Sequence, residues 1–411
     1  MKKVSVIGGG IIGLCSAYYL AKDGFEVTIF DQSEMNDGCS YGNAGMIVPS
    51  HIIPLAQPGM IAQGMKWMFD SKSPFYVKPR LNADLIKWGL QFYKHANEKH
   101  VAKAMPALRD LSLLSKELYQ DFAKENNSFF YEEKGLLMLY KTEKVGHEMF
   151  LEGREAEKLG LKVDYLSAEA VAKLEKGTKT NVLGGVHYTG DAHLYPQKFM
   201  QFIKQKLARL NVEILSGTTV QDFVFDQNKI TKIVTSKGTF TTDEVVLAAG
   251  SWSPSLAKKL GISVSILPGK GYSFTLKDKN HKPSIPSILC EGKVAVTPMN
   301  TDIRFGGTME ITHTGDTQIN KNRLQGIVNS INEFYPEMEV AMPETEDTWF
   351  GFRPCTPSGM PIINRSKKVV NLTFATGHAM MGLSLAPATG KIITEIISGK
   401  TTSVDTKMFQ L

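Results

Sequence analysis

Gly8, Gly10 and Gly13 stand two and three residues apart at the exit of the run Val4-Ser5-Val6-Ile7, a spacing whose chemistry is the capture of a pyrophosphate. Gly8 permits a tight turn, Gly10 lets backbone approach the phosphates, and Gly13 lets a helix pack close to a sheet. Ile11 and Ile12 open that helix, so its first amides face the anion. Eighteen residues beyond Gly13, Asp31 and then Gln32 end the segment Val27-Thr28-Ile29-Phe30. A carboxylate there accepts both ribose hydroxyls of an adenosine and repels a 2′-phosphate.

These residues require a strand, a helix and a second strand, and the local pattern supplies all three. The 411 residues, 42% hydrophobic, are enough for two lobes with a core each. A net charge of +6 with lysines scattered among glutamates gives no basic stripe, which argues against nucleic-acid binding. Cys15, Cys39, Cys290 and Cys355 lack the spacing of a zinc site or redox dithiol, and so few cysteines fit a reducing compartment. The apolar run Ile11 to Leu20 is too short to span a bilayer, and no signal peptide is expected, since the first residues enter the nucleotide unit directly. A cytoplasmic protein is expected.

A second strand-like segment, Glu244-Val245-Val246-Leu247, runs into the small-residue turn Ala248-Ala249-Gly250 and then Ser251-Trp252. Such a turn lets a strand end pass under a bound cofactor. Val212 to Leu215 and Thr219-Val220 precede it, and Phe223 to Phe225 with Lys229 to Val234 read as a hairpin. This order resembles flavoproteins that fold around extended FAD, with Val220, Ala249, Gly250 and Trp252 near the cofactor. No second glycine fingerprint for a nicotinamide cofactor is found, so electrons are expected from an organic substrate.

Further motifs resemble the D-amino-acid oxidase superfamily, and within it the bacterial D-amino-acid dehydrogenase branch, over nearly the whole chain. They are Cys39-Ser40-Tyr41-Gly42-Asn43-Ala44-Gly45-Met46, Pro49-Ser50-His51, Pro54 to Gly59, Gly351-Phe352-Arg353-Pro354-Cys355-Thr356-Pro357-Ser358-Gly359, and Gly377-His378 through Gly382-Leu383. The resemblance implies flavin contacts from Ser40, Asn43, Ala44, Gly45 and Met46, and again from Gly377, His378, Met380, Met381, Gly382 and Leu383. Ser358 stands where the family usually carries aspartate, and Ala379-Met380-Met381 replaces a more glycine-rich run. Gly351 occupies the place of the cysteine that tethers flavin in the sarcosine-oxidase branch, implying noncovalent FAD.

The expected architecture is α/β: a discontinuous Rossmann-like FAD-binding domain (1–50, 190–255 and 345–411) and a substrate domain (51–189 and 256–344). The latter is expected to be a mixed, largely antiparallel sheet plus helices, with strands near 135–140, 185–188, 264–275, 294–296 and 302–307. Amphipathic helices are expected within 82–125, and another over Leu385–Ile397 with Pro387 in its first turn.

Oxidising an amine beside a carboxylate needs a carboxylate clamp, and the motif resemblance makes Arg353 the first choice. Tyr272, in Gly269-Lys270-Gly271-Tyr272-Ser273, is a candidate roof hydroxyl or a plain sheet tyrosine. Two catalytic roles are open for His378: electrostatic support of the reduced flavin together with the following helix, which is preferred, or help in deprotonating the amine. Its structural alternative is holding its loop. For His51 and His193 a structural role is the safer reading, and no metal site is suggested.

The implied reaction is oxidation of a D-amino acid to an imino acid, then a 2-oxo acid and ammonia. D-proline or D-hydroxyproline dehydrogenation and a glycine- or sarcosine-type oxidase are the enzymatic alternatives, and a flavin-binding subunit needing partner chains is the other. By analogy, the expected acceptor is a quinone or an electron-transfer protein. The Met46–Phe69 stretch beside Lys66, Lys72 and Lys78 suits a lid over the site, or contact with the inner face of the cell membrane.

Overall fold

A computed structural model describes residues 1–68, 73–78, 82–277 and 282–411. Strand β1 (Lys3–Ile7), helix α1 (Ile11–Lys22) and strand β2 (Glu26–Phe30) follow without a wasted residue. β1 is the middle of a six-stranded sheet among the described residues. Its order is Ile362–Arg365, Leu372–Thr376, Glu244–Leu247, β1, β2, Glu213–Leu215. All these pairings are parallel except the outermost, Ile362–Arg365. Both faces are covered, as a parallel sheet demands. On one side α1 packs with helices Pro196–Arg209 and Gly382–Ile397; on the other lie the hairpin strands Val220–Asp226 and Lys229–Thr235.

α1 and Gly382–Ile397 cross at Gly390, where a Cβ would sit 2.5 Å from the Cys15 carbonyl. That helix begins three residues before the expected Leu385, so Pro387 falls inside it, not in its first turn. Proline there withholds the amide owed to the Leu383 carbonyl. The Tyr119 hydroxyl donates to that oxygen at 2.6 Å, and Ser115 donates to the Ser384 carbonyl.

After β3 (Met46–Ile47), α2 (Met60–Met68) and β4 (Phe75–Val77), the expected helical stretch resolves into α3 (Ala83–His95) and α4 (Glu98–Glu125). Asn82 and Asn97 cap them through their side-chain oxygens. Among the described residues a nine-stranded sheet runs Thr348–Cys355, Leu267–Leu276, Asp302–Ile311, Val294–Met299, Ser287–Leu289, Leu136–Tyr140, Gly184–Tyr188, Val163–Ser167, with β4 alongside Asp302–Ile311. It is mixed and mostly antiparallel. The strand Thr348–Cys355, which the sequence groups with the nucleotide-binding segments, hydrogen-bonds here instead.

Alternation sorts this sheet's side chains. Leu137, Val296, Phe305, Tyr272 and Phe274 pack beneath helix Lys321–Phe334. Met138, Ala295, Gly306 and Ser273, one residue out of phase, face a cavity between the two sheets. Ile47, Val48 and Ile52 are buried, and Ile52 to Leu55 line that cavity, so this part of the Met-rich stretch faces inward. The side chains from Met65 to Met68, with Phe69 and Lys72, lie outside the described residues.

Candidate active site

The cavity measures about 1280 Å³ and runs unbroken from Gly8–Gly10 to Arg353 and the start of helix Gly382–Ile397. That exceeds the usual ligand pocket of roughly 300–1,000 Å³ and suits a dinucleotide with a substrate beyond it. Gly8 has φ +110, and a Cβ there would meet the Ala248 oxygen at 2.5 Å. Gly13 packs harder, its hypothetical Cβ 1.8 Å from the Gly8 oxygen. A Cβ on Gly10 would meet only Ser40 Oγ, at 3.5 Å; its open side is the cavity. The glycines therefore divide: Gly8 and Gly13 pack against backbone, and Gly10 leaves open space beside the cavity.

Ile11 donates its amide to Ser40 Oγ at 3.0 Å, while Ile12 borders the cavity beside it. Asp31 takes the Gly9 amide at 2.6 Å on one oxygen, and the Ser33 amide and hydroxyl at 2.8 and 2.7 Å on the other. Three of about four acceptor directions are filled. Asp31 as placed thus has room for one ribose hydroxyl rather than the expected two. Gln32 lies exposed at the same end.

Ser40, Asn43, Ala44 and Met46 line the middle of the cavity, facing Val220, Ala249, Gly250 and Trp252. Gly45 does not: at φ +77 it packs on the Leu194 carbonyl, 2.2 Å from a hypothetical Cβ. Gly377, at φ +78, likewise turns the chain against Thr356 without bordering the cavity. Both are corrected from flavin contacts to backbone turns. Arg304, singled out by no motif, organises the Tyr41–Asn43 loop. It donates to the Tyr41 and Asn43 carbonyls at 2.9 Å each, and to Gln197 and Thr275.

Met380, Met381, Gly382 and Leu383 border the far end, where helix Gly382–Ile397 begins with no side-chain cap. His378 precedes them, but its ring is buried, with Nε2 3.0 Å from Thr389 Oγ1. Burial pushes its pKa down to about 3. The residue borders the cavity, but burial works against the positive charge that the electrostatic role expected for His378 requires. The uncapped amides remain.

Arg353 reaches the cavity because its strand neighbours are glycines: a Cβ on Gly271 would lie 1.9 Å from its Nη1. The guanidinium donates to the Thr308 carbonyl at 2.5 Å. No carboxylate pairs with it among the described residues, and burial lowers its pKa. Tyr272 is a correction. Its residue borders the cavity, but it is in phase with Phe274, and its hydroxyl donates to Glu310 at 2.8 Å and accepts from the Asn320 amide. That hydroxyl is unavailable to a substrate.

His51 lines the cavity, whereas His193 lies off it, 3.4 Å from Glu132. Behind His51, Ser50 donates to Asp191 Oδ2 at 2.5 Å. No sequence feature ties these residues, 141 apart. Among the described residues no cluster of three metal-ligating side chains occurs.

The family model described as FAD dependent oxidoreductase matches residues 3–396. A D-amino acid dehydrogenase of Helicobacter pylori is 32% identical over 396 residues, 96% of this chain and 94% of that protein. One from Granulibacter bethesdensis is 30% identical over 418 residues, covering 98% and 97% respectively. Among solved structures, glycine oxidase from Geobacillus kaustophilus superposes with TM-score 0.79 at 22% identity, over 100% of this chain and 99% of that one. L-proline dehydrogenase from P. horikoshii gives 0.75 at 20% identity, over 100% and 96%. The glycine cradle, the small-residue turn and the uncapped helix end of one cavity are accordingly those of a chain that belongs to the FAD-dependent oxidoreductase family.

Proposed function

We propose that this chain oxidises the Cα–N bond of a D-amino acid, giving an imino acid that hydrolyses to a 2-oxo acid and ammonia. The observation that carries this is Arg353, a half-buried cation with a single carbonyl acceptor, in the same cavity as the nucleotide cradle. Its remaining N–H groups suit a substrate carboxylate held bidentately. Bound FAD supplies the two-electron acceptor for the hydride that leaves Cα. Gly8, Gly10, Ile12 and Asp31 would hold its adenosine and pyrophosphate, and the amides of Gly382 and Leu383 would meet the pyrimidine end of its ring. The inward-facing segment from Ile52 to Leu55 excludes water.

FAD is held noncovalently in this reading. Gly351 offers no thiol, and Cys39, which lines the cavity, has its pKa raised by burial. A quinone or electron-transfer protein takes the electrons, in keeping with the dehydrogenase names of the relatives. α3 presents Ile86, Leu90 and Tyr93 at 57, 62 and 71% exposure on one helical face, a stripe suited to peripheral contact with a membrane carrying that acceptor. No helix among the described residues is long and apolar enough to cross a membrane.

The test is anaerobic bleaching of bound flavin by D- and L-amino acids, proline and hydroxyproline isomers, glycine and sarcosine, followed by air. Rapid bleaching by D-amino acids with slow recovery in air is expected. Bleaching by cyclic substrates alone moves the assignment to a proline-type dehydrogenase, and fast recovery moves it to an oxidase. Silence toward the whole panel, with an artificial acceptor present as well, overturns the reading and leaves a flavin-binding subunit.

A further inference from the structure

Asp191 is 1% exposed, and both its oxygens are spent on one residue. Oδ1 accepts the Ser50 amide at 3.1 Å and Oδ2 the Ser50 hydroxyl at 2.5 Å. No cation lies within ion-pair distance among the described residues. Ser50 Oγ in turn stands 3.3 Å from His51 Nδ1. With the serine proton committed to Asp191, Nδ1 carries the ring proton and donates to Oγ, leaving the Nε2 lone pair free. His51 borders the cavity, and its segment is anchored where the reaction would occur: the Val48 amide donates to Ser384 Oγ in the first turn of helix Gly382–Ile397, and the His51 amide to the Val48 carbonyl.

We infer that His51, Ser50 and Asp191 form a proton relay, in which His51 Nε2 takes the ammonium proton of the substrate that the functional reading above assigns. An N–H bond of the ammonium breaks and a bond to Nε2 forms. The Nδ1 proton passes to Ser50 Oγ as the serine proton passes to Asp191 Oδ2. The ring ends neutral with its proton on Nε2, the carboxyl ends neutral, and no electron moves. The substrate amine is left with the lone pair that must push as hydride leaves Cα. Reversal of the hops returns the proton when product departs. His51 is the catalytic group, and Ser50 and Asp191 are positioning residues that act through it.

The surrounding charges suit this direction of transfer. Burial, with Lys293 of the same cavity, pushes the His51 pKa down to about 4, so the proton does not rest on the ring. Glu148 and Glu152, from helix Glu143–Lys158, line the same wall. Burial raises Asp191 to about 7 against the two Ser50 hydrogen bonds and the weaker pull of Lys116 from α4, with Tyr131 and Tyr188 close by. A carboxyl near neutrality gives and takes a proton with equal ease.

The relay is tested by flavin bleaching in His51→Gln and Ser50→Ala, using the fastest substrate of the panel, from pH 6 to pH 10. At pH 7, H51Q is expected to bleach slower by about a hundredfold or more, recovering toward wild type at pH 10, where the free amine is already neutral. S50A should show a smaller loss with the same recovery. A loss in H51Q that is equal at every pH marks a purely structural role and overturns the relay, as does wild-type bleaching by H51Q at pH 7. Wild-type protein that no amine bleaches at any pH sinks the functional reading and the relay with it. The ring nitrogens of His51, read by ¹⁵N NMR in wild-type protein, supply the second measurement. A neutral Nδ1–H tautomer at pH 7 is expected; an imidazolium or an Nε2–H tautomer overturns the relay even if the variants fail to fold.

Discussion

Two arginines of one sheet, Arg304 buried and Arg353 half-buried at the cavity, meet opposite fates. Arg304 spends its guanidinium on four protein acceptors, tying the Tyr41–Asn43 loop to the sheet and to Gln197. Arg353, on Thr348–Cys355, has one carbonyl and a cavity in front of it. Burying a cation is costly in both cases. Where the fold takes up four of the five N–H donors, the residue is a fastener; where it leaves most of them over, the proposed substrate carboxylate is what would recover the cost. The contrast teaches that unspent hydrogen-bonding capacity, and not burial or charge, distinguishes the site.

The contrast breaks if the two arginines respond alike to substitution. Arg353→Met should lower kcat/KM for an amino acid by about 10³-fold, ~4 kcal/mol of transition-state binding, with thermal melting of the protein nearly unchanged. Arg304→Met should do the reverse. With the Tyr41 and Asn43 carbonyls left unpaired, unfolding free energy should fall by ~3 kcal/mol, seen as a lower melting midpoint and weaker flavin retention. A third substitution sharpens the comparison by adding a side chain that faces the fold. His378→Gln should change the bleaching rate less than about tenfold, with no new dependence between pH 7 and 9, because the ring is already neutral there. Its mark should be on acid stability. The pKa of about 3 lies below the ordinary 6.5, so between those values the unfolded chain holds a proton that the native one lacks. Wild type therefore loses stability as pH falls through that window, by at most ~1.4 kcal/mol per unit, and H378Q should lose less.

Much of the nucleotide cradle is legible from local pattern, because β1, α1 and β2 are contiguous and Gly13 packs on Gly8 within that one unit. The family resemblance pointed to Arg353, which borders the cavity that the glycines open. Tyr272 failed for a reason that no strand pattern reveals: period two separates the faces of Leu267–Leu276 but does not say which face meets substrate. The charge of His378 is not legible in the sequence because burial decides it, and burial depends on Thr389 and a helix that starts earlier than Leu385. Gly45 and Gly377 were read as contacts because a glycine in a motif does not say whether it makes room for ligand or for backbone. Ser50 and Asp191 meet only once β3 pairs with the strand Ala192–His193, which is a tertiary event without a local signature.

The close crossing at Gly390 has a consequence for how the protein comes into being. A chain leaving the ribosome can assemble β1, α1 and β2 early, yet α1 stays uncovered until some 370 further residues have been made and helix Gly382–Ile397 docks against Cys15. Between those moments an apolar helix is exposed, and the cradle has no far wall. Such distant closure slows folding, and it makes flavin capture a late event in biogenesis, one that a chain stalled or truncated before residue 382 cannot reach.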